Sequence, residues 1–247
     1  MYATNGEQLK NGPLTFLGRG AAFNPAEGNT AAFIREGDRL FLIDCGETVF
    51  ERLMVRQALA GVTEVYVALS HLHSDHCGSL GSLLFYCLFA LGIRARIVLP
   101  REEPAYADSV RGLLAAFGIP EEYYSCVDPG EIQGFRAFSS FRYVKTAHDP
   151  RLMCFSFVLE TLEGGVFYSA DTSRTEELTD FLRTHDSIAA IYMEAAETDF
   201  PGSIHLSLDR LRRALPDALM KKTYLMHLSG AGCMQKAKEM GFSIVNA

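Results

Sequence analysis

Residues 71–76 read His-Leu-His-Ser-Asp-His and follow directly on the apolar run Val65-Tyr66-Val67-Ala68-Leu69. Such a run predicts a buried strand. Four side chains able to bind metal are therefore packed into six positions at a strand end. Imidazoles and a carboxylate beside a core strand lose their hydration. Only a bound ion or a dense hydrogen-bond network offsets that loss. His71 and His73 alternate along extended chain, so both rings can point the same way. Asp75 and His76 are expected in the turn beyond, presented to a second point, so one segment can feed two adjacent metals.

Three more residues suit such a centre. His148 follows a predicted strand over 141–145, Asp171 one over 166–169, and His227 one over 224–226. Each lies just past a strand's C-terminal end, where distant parts of an α/β chain converge. Other expected strands cover 14–17, 31–35, 40–44, 65–69, 97–99, 135–138, 155–160 and 188–193, with Gly164-Gly165 turning a hairpin. Helical patterning covers 47–60, a stretch from about Gly78, 107–117, 176–183, 206–214 and 234–240. Strands with helices interspersed in both halves predict two sheets sandwiched between helix layers.

The 247 residues, 48% of them hydrophobic, suffice for a large core, and one domain over 1–247 is the simplest organisation. A net charge of −7 argues against a long nucleic acid as partner, because such binders carry a basic footprint. The Lys and Arg residues between 210 and 222 read as a solvated helix face. The N-terminus shows no secretory pattern. The longest apolar stretch, 80–92, is too short to span a bilayer, so no membrane role is expected. Six scattered cysteines without a C-x-x-C pair are expected as reduced thiols in a cytoplasmic protein.

The hexad resembles the signature of the metallo-β-lactamase superfamily. So do Asp44-Cys45-Gly46, His148, Tyr168-Ser169-Ala170-Asp171-Thr172 and Met226-His227-Leu228-Ser229, which occur in the family's order. Within it the chain is most similar to ribonuclease Z and its small phosphodiesterase relatives. That narrower likeness rests on Phe16-Leu17-Gly18-Arg19-Gly20, Phe41-Leu42-Ile43-Asp44, Glu194, and His205 with Ser207. The resemblance implies an α/β fold of the four-layer αββα type. It implies two metal ions, zinc by default for His-rich shells, with manganese or iron able to use the same ligands. His71, His73 and His148 would hold one ion, Asp75, His76 and His227 the other, and Asp171 would bridge them. Asp44 would orient the site from behind the ligands.

Two such ions about 3.5–4 Å apart would share a water and lower its pKa toward about 7, and the hydroxide could attack a phosphodiester. Asp75 would accept a proton, and His205, positioned by Glu194, would protonate the leaving group. The 23 residues from His148 to Asp171 leave no room for the transfer-RNA-gripping arm of ribonuclease Z. A small phosphodiester such as a cyclic nucleotide or short oligonucleotide is therefore the expected substrate. An RNA endonuclease, a glyoxalase II-like thioester or lactone hydrolase, and a non-catalytic metal-binding module are the alternatives. Loops near 25–27, 149–151 and 198–200 are expected to line the substrate pocket. Relatives of this kind are often homodimers, and the apolar helix after the hexad serves either as an interface or as core.

Overall fold

The computed structural model describes residues 12–247. Its strands lie in two six-stranded sheets, each in sequence order. The first holds β1 (Thr15–Gly18), β2 (Ala31–Glu36), β3 (Arg39–Ile43), β4 (Glu64–Ala68), β5 (Arg96–Val98) and β6 (Ser125–Val127). The second holds β7 (Ser140–Thr146), β8 (Cys154–Thr161), β9 (Gly164–Tyr168), β10 (Ile188–Glu194), β11 (Thr223–Met226) and β12 (Ser243–Ile244). In both, the first two pairings are antiparallel and the next three parallel.

Parallel neighbours need crossovers, and helices supply them. In the first half these are α1 (Val49–Val55), α2 (Ser74–Cys77), α3 (Leu80–Phe89) and α4 (Pro104–Ala116). In the second they are α5 (Glu176–Thr184), α6 (Leu208–Ala214) and α7 (Ala231–Glu239).

Alternation along the second sheet shows its two covered faces. Phe157, Leu159, Val166, Tyr168, Ala190 and Tyr192 join the core shared with the first sheet. Their neighbours Val158, Phe167, Ile191 and Met193 join a second core with Leu178, Phe181, Leu208, Leu211 and Ala237 of α5–α7. Successive strand residues point to opposite faces, so the sheet packs on its partner sheet on one side and on helices on the other. This is the expected αββα arrangement.

Several local expectations need correction. The helix over 47–60 is only α1, because Gln57 takes a left-handed φ of +53° and the chain then turns. Residues 135–138 form no strand. The backbone N–H groups of Arg136 and Ala137 donate to the Glu36 carboxylate at 2.8 and 2.6 Å instead of to a neighbouring strand. Phe135 and Phe138 pack their rings against Phe41. The β8–β9 hairpin turns at Leu162-Glu163, and Gly164 already opens β9. Asp75 and His76 lie on one helical turn, α2, rather than in an irregular turn. The short strands β6 and β12 carry too few residues to show a period. No helix of the described residues is long and apolar enough to cross a membrane.

Candidate metal centre

Strand ends and one short helix build the centre. The chain leaves β4 through Ser70, presents His71 and His73, and turns into α2 with Asp75 and His76. His148 follows β7, Asp171 follows β9 and His227 follows β11. All seven expected ligands are brought together. His73 Nδ1 lies 3.0 Å from His71 Nε2 and 3.2 Å from His148 Nε2. His227 Nε2 lies 3.2 Å from Asp75 Oδ2 and 3.3 Å from Asp171 Oδ2. His76 Nε2 is 3.3 Å from Asp171 Oδ1. Asp171 Oδ2 also faces the three-histidine group, 3.6 Å from His148 Nε2 and 4.0 Å from His71 Nε2. The carboxylate of Asp171 therefore stands between two clusters, as a bridging residue must.

The fit to metal can be tested on the protein atoms. His76 Nε2 and Asp171 Oδ1 are buried and face each other at 3.3 Å, yet neither makes a well-formed hydrogen bond. Buried polar atoms are rarely left so, and a shared cation would satisfy both. The donor chemistry agrees: three imidazoles in one group, two imidazoles and two carboxylates in the other suit zinc or a similar ion.

Partners behind the ligands aim them. The Asp44 carboxylate accepts from His76 Nδ1 at 2.8 Å, from Ser70 N at 2.7 Å and from Ser70 Oγ at 2.8 Å. Ser70 Oγ also lies 3.0 Å from His71 Nδ1. His148 Nδ1 donates to the Ile204 carbonyl at 2.8 Å. His73 Nε2 faces Asp149 Oδ2 at 3.3 Å, and the Arg151 guanidinium holds Asp149 in turn. Each pairing leaves the other ring nitrogen for the centre. Ser70 and the role of Asp149 escaped sequence reasoning. Asp149, expected on a substrate loop, is buried and sits behind His73.

Electrostatics separate the two groups. Burial, helped by neighbouring imidazoles, pushes the His71 pKa well below its ordinary value. Burial likewise lowers that of His148 against the pull of Asp171. Burial opposes the charged ring of His227, but Asp171, Asp75 and Glu194 outweigh it and lift its pKa to about 10. Asp171 stays anionic well below the carboxylate range because His227 and His76 overcome the cost of its burial. Cys45 and Cys77 are pushed up to about 12, chiefly by burial, and belong to the core rather than the ligand set.

The backbone is strained where it delivers these groups. Asp44, Ala170 and His227 adopt φ of +63°, +46° and +53°, a region that costs non-glycine residues about 1–3 kcal/mol. Gly46 permits the tightest approach: a Cβ there would lie 1.9 Å from the Asp75 carbonyl oxygen.

Beside the centre opens a cavity of about 590 Å³, lined among others by His73, Asp75, His227, Glu194 and His205. The Glu194 Oε2 atom accepts from His205 Nδ1 at 2.7 Å, and its Oε1 accepts from the Thr172 backbone N–H. Glu194 is buried, whereas a third of the His205 side chain is exposed. The loops holding 25–27 and 198–200 do line the cavity, though through neighbouring residues, whereas 149–151 do not. Ala21, Ala22, Phe23, Ala196 and Ile204 form that part of its wall. The β1–β2 loop folds back so that residues 21–23, not its later part, face the centre.

A family model described as "Anti-Pycsar protein Apyc1" matches residues 13–245. An anti-Pycsar protein Apyc1 of Paenibacillus harenae is 28% identical over 221 residues, covering 87% of this chain and 88% of its own. A ribonuclease Z of Mycobacterium sp. (strain KMS) is 35% identical over 112 residues, 42% of this chain and 37% of its own. Among solved structures, the metallo-beta-lactamase fold protein YhfI from Bacillus subtilis gives a TM-score of 0.70 over 95% of each chain at 19% identity. That likeness is one of fold, and it agrees with the two-sheet architecture. The family match spans almost the whole chain, and the protein belongs to the anti-Pycsar Apyc1 family, built on the metallo-β-lactamase fold.

Proposed function

We propose that the protein is a dinuclear-metal hydrolase that cleaves a small phosphodiester such as a cyclic nucleotide. The observation that carries this reading is the Glu194–His205 pair standing beside the seven-residue cluster on one cavity. His71, His73 and His148 would hold one ion, Asp75, His76 and His227 the other, with Asp171 between them. The bound ions would supply activation of water and neutralisation of the phosphoryl oxygens.

The chain's own residues then divide the proton work. Asp75 lines the cavity and is kept anionic by hydrogen bonds from His227 and His76, despite its burial. It would accept the proton the attacking water loses. Glu194 takes the His205 Nδ1 hydrogen, which fixes the ring and leaves Nε2 to serve the leaving oxygen. Burial opposes the charged form of His205, but the hydrogen bond and charge of Glu194 raise its pKa above the ordinary histidine value. The pair thus favours the protonated ring over the neutral one. Water adds at phosphorus, the P–O bond to the leaving alkoxide breaks, and His205 protonates that alkoxide, giving a phosphate monoester.

Size supports a small substrate. About 590 Å³ lies within the range of small-molecule sites. The chain between His148 and Asp171 is occupied by the β8–β9 hairpin, with no protruding arm. The Apyc1 family name, which denotes an action against Pycsar, is compatible with this reading. The test is a panel on metal-loaded protein: cyclic mononucleotides, cyclic dinucleotides, short oligonucleotides, precursor transfer RNA, a glutathione thioester and a lactone. Turnover of one of the small phosphodiesters is expected. Turnover of the thioester, the lactone or the precursor RNA alone would overturn the assignment.

A further inference from the structure

The β1–β2 loop carries a side chain that the chemistry above does not use. Phe23 is 98% exposed, yet it lines the cavity beside the metal centre. The loop beneath it is firmly tied. Gly20 N donates to the Gly28 carbonyl at 2.7 Å, and Asn24 N to the Ala21 carbonyl at 3.0 Å. Arg19 pairs with Glu27 at 2.6 Å. The Leu228 carbonyl, one residue beyond His227, accepts from Ala21 N at 3.1 Å and from Asn24 Nδ2 at 3.0 Å. Leu228 N returns a bond to the Arg19 carbonyl at 2.9 Å. A Cβ on Gly20 would lie 2.6 Å from the Asn24 carbonyl oxygen, so the loop is wound closely on itself. Its tip is therefore fixed relative to a ligand-bearing turn, and the ring it displays contributes nothing to the core.

Ala21, Ala22, Ala196 and Ile204 give the lining an apolar part, Ser74, Ser229 and Glu47 add polar side chains, and the floor is ionic. Such a site suits a ligand with an anionic end and a flat apolar face. We propose that Phe23 is a stacking platform for the nucleobase of the substrate. This rests on the phosphodiesterase reading and adds to it the part of the substrate that lies away from the scissile bond. The exposed ring of Phe23 and the apolar side chains beside it favour a planar heteroaromatic ring. Stacking of this kind tolerates any base because every base has a π-face.

The experiment compares wild type, Phe23→Ala and Phe23→Tyr on two substrates, cyclic AMP and the base-free methyl ribofuranoside 3′,5′-cyclic phosphate. Phe23→Ala is expected to raise KM for cyclic AMP about ten- to a hundredfold. Its kcat should stay within about threefold of wild type, as expected when binding common to ground and transition states is removed. On the base-free compound KM should not change, and Phe23→Tyr should restore the wild-type KM for cyclic AMP. The side chain is exposed, so folding is not at stake. An unchanged KM for cyclic AMP, or an equal rise on both compounds, overturns the stacking role while leaving the hydrolase reading intact. A wild type that hydrolyses neither compound but turns over another small phosphodiester overturns the stacking role alone, and one that turns over no small phosphodiester removes the phosphodiesterase reading with it.

Discussion

His205 shows how one residue takes its chemistry from a neighbour. A histidine near a helix start has a plain alternative as a local hydrogen-bonding group. Here Ser207 is the residue that caps α6, accepting from Arg210 N at 3.3 Å. His205 is left to the Glu194 carboxylate. Because that carboxylate raises its pKa, the proton needed by a leaving group is present below the raised value and is lost as pH rises through it. Turnover should therefore carry an alkaline limb set by His205. His205→Ala is expected to lower turnover about 10²–10⁴-fold and to abolish that limb. Bound metal, measured by elemental analysis, should stay at the wild-type level. Wild-type turnover in the variant would take His205 out of the mechanism.

At the scale of the element, the loop after β3 and the helix α2 form a single unit. Cys45 N donates to the His76 carbonyl at 2.7 Å and Ser79 N to the Cys45 carbonyl at 3.0 Å, while Gly46 sits against the Asp75 carbonyl. Gly46→Ala would set a methyl group against backbone that cannot swing aside, so α2 must shift. We expect about 1–3 kcal/mol of destabilisation, the usual range for overpacking, together with reduced metal retention. Gly112 provides the contrast. It lies inside α4 with nothing near its absent Cβ, and Gly112→Ala should stabilise by up to about 1 kcal/mol. Thermal unfolding and metal content of the two variants decide the matter: equal effects would mean the close approach at Gly46 has no importance.

What the sequence made legible follows from the same physics. The seven candidate ligands stand out because chemistry-bearing residues next to apolar runs have few other uses, and the strands of the sheet centres show their periods. Ser70 and Asp149 did not stand out. A serine beside a ligand and an acid beside a ligand acquire their roles only when the chain folds them behind an imidazole. Two of the expected rim loops are found on the cavity, but loop composition reveals exposure and not which residue of a turn faces inward. The segment 135–138 misleads because its apolar residues suit a strand, whereas Phe135 and Phe138 pack on the same Phe41 ring, which residues three apart on a strand cannot do, and its N–H groups find Glu36.

At the scale of the whole molecule, the centre lies on the seam between two halves with the same order of pairings. His71, His73, Asp75 and His76 come from the β4 side of the first sheet, and His148, Asp171 and His227 from strand ends of the second. Bound metal would therefore join the halves as well as serve the reaction. Without metal the seam holds buried imidazoles and carboxylates in which His76 Nε2 and Asp171 Oδ1 face each other at 3.3 Å without a well-formed hydrogen bond, so a shared cation would add to its cohesion. At free metal about a hundred times Kd, binding to the native state alone adds about 2.7 kcal/mol. For a chain of this size that is roughly 5–10 °C in Tm. Chelation should lower Tm by that amount and re-addition of zinc should restore it, with the recovery growing with the logarithm of metal concentration. His73→Ala, which removes a ligand that is itself a third exposed and not part of the core, should shrink the chelator-dependent shift. A Tm indifferent to chelation would mean the two sheets are held by their shared apolar face alone and that the clustered ligands add nothing to the native state.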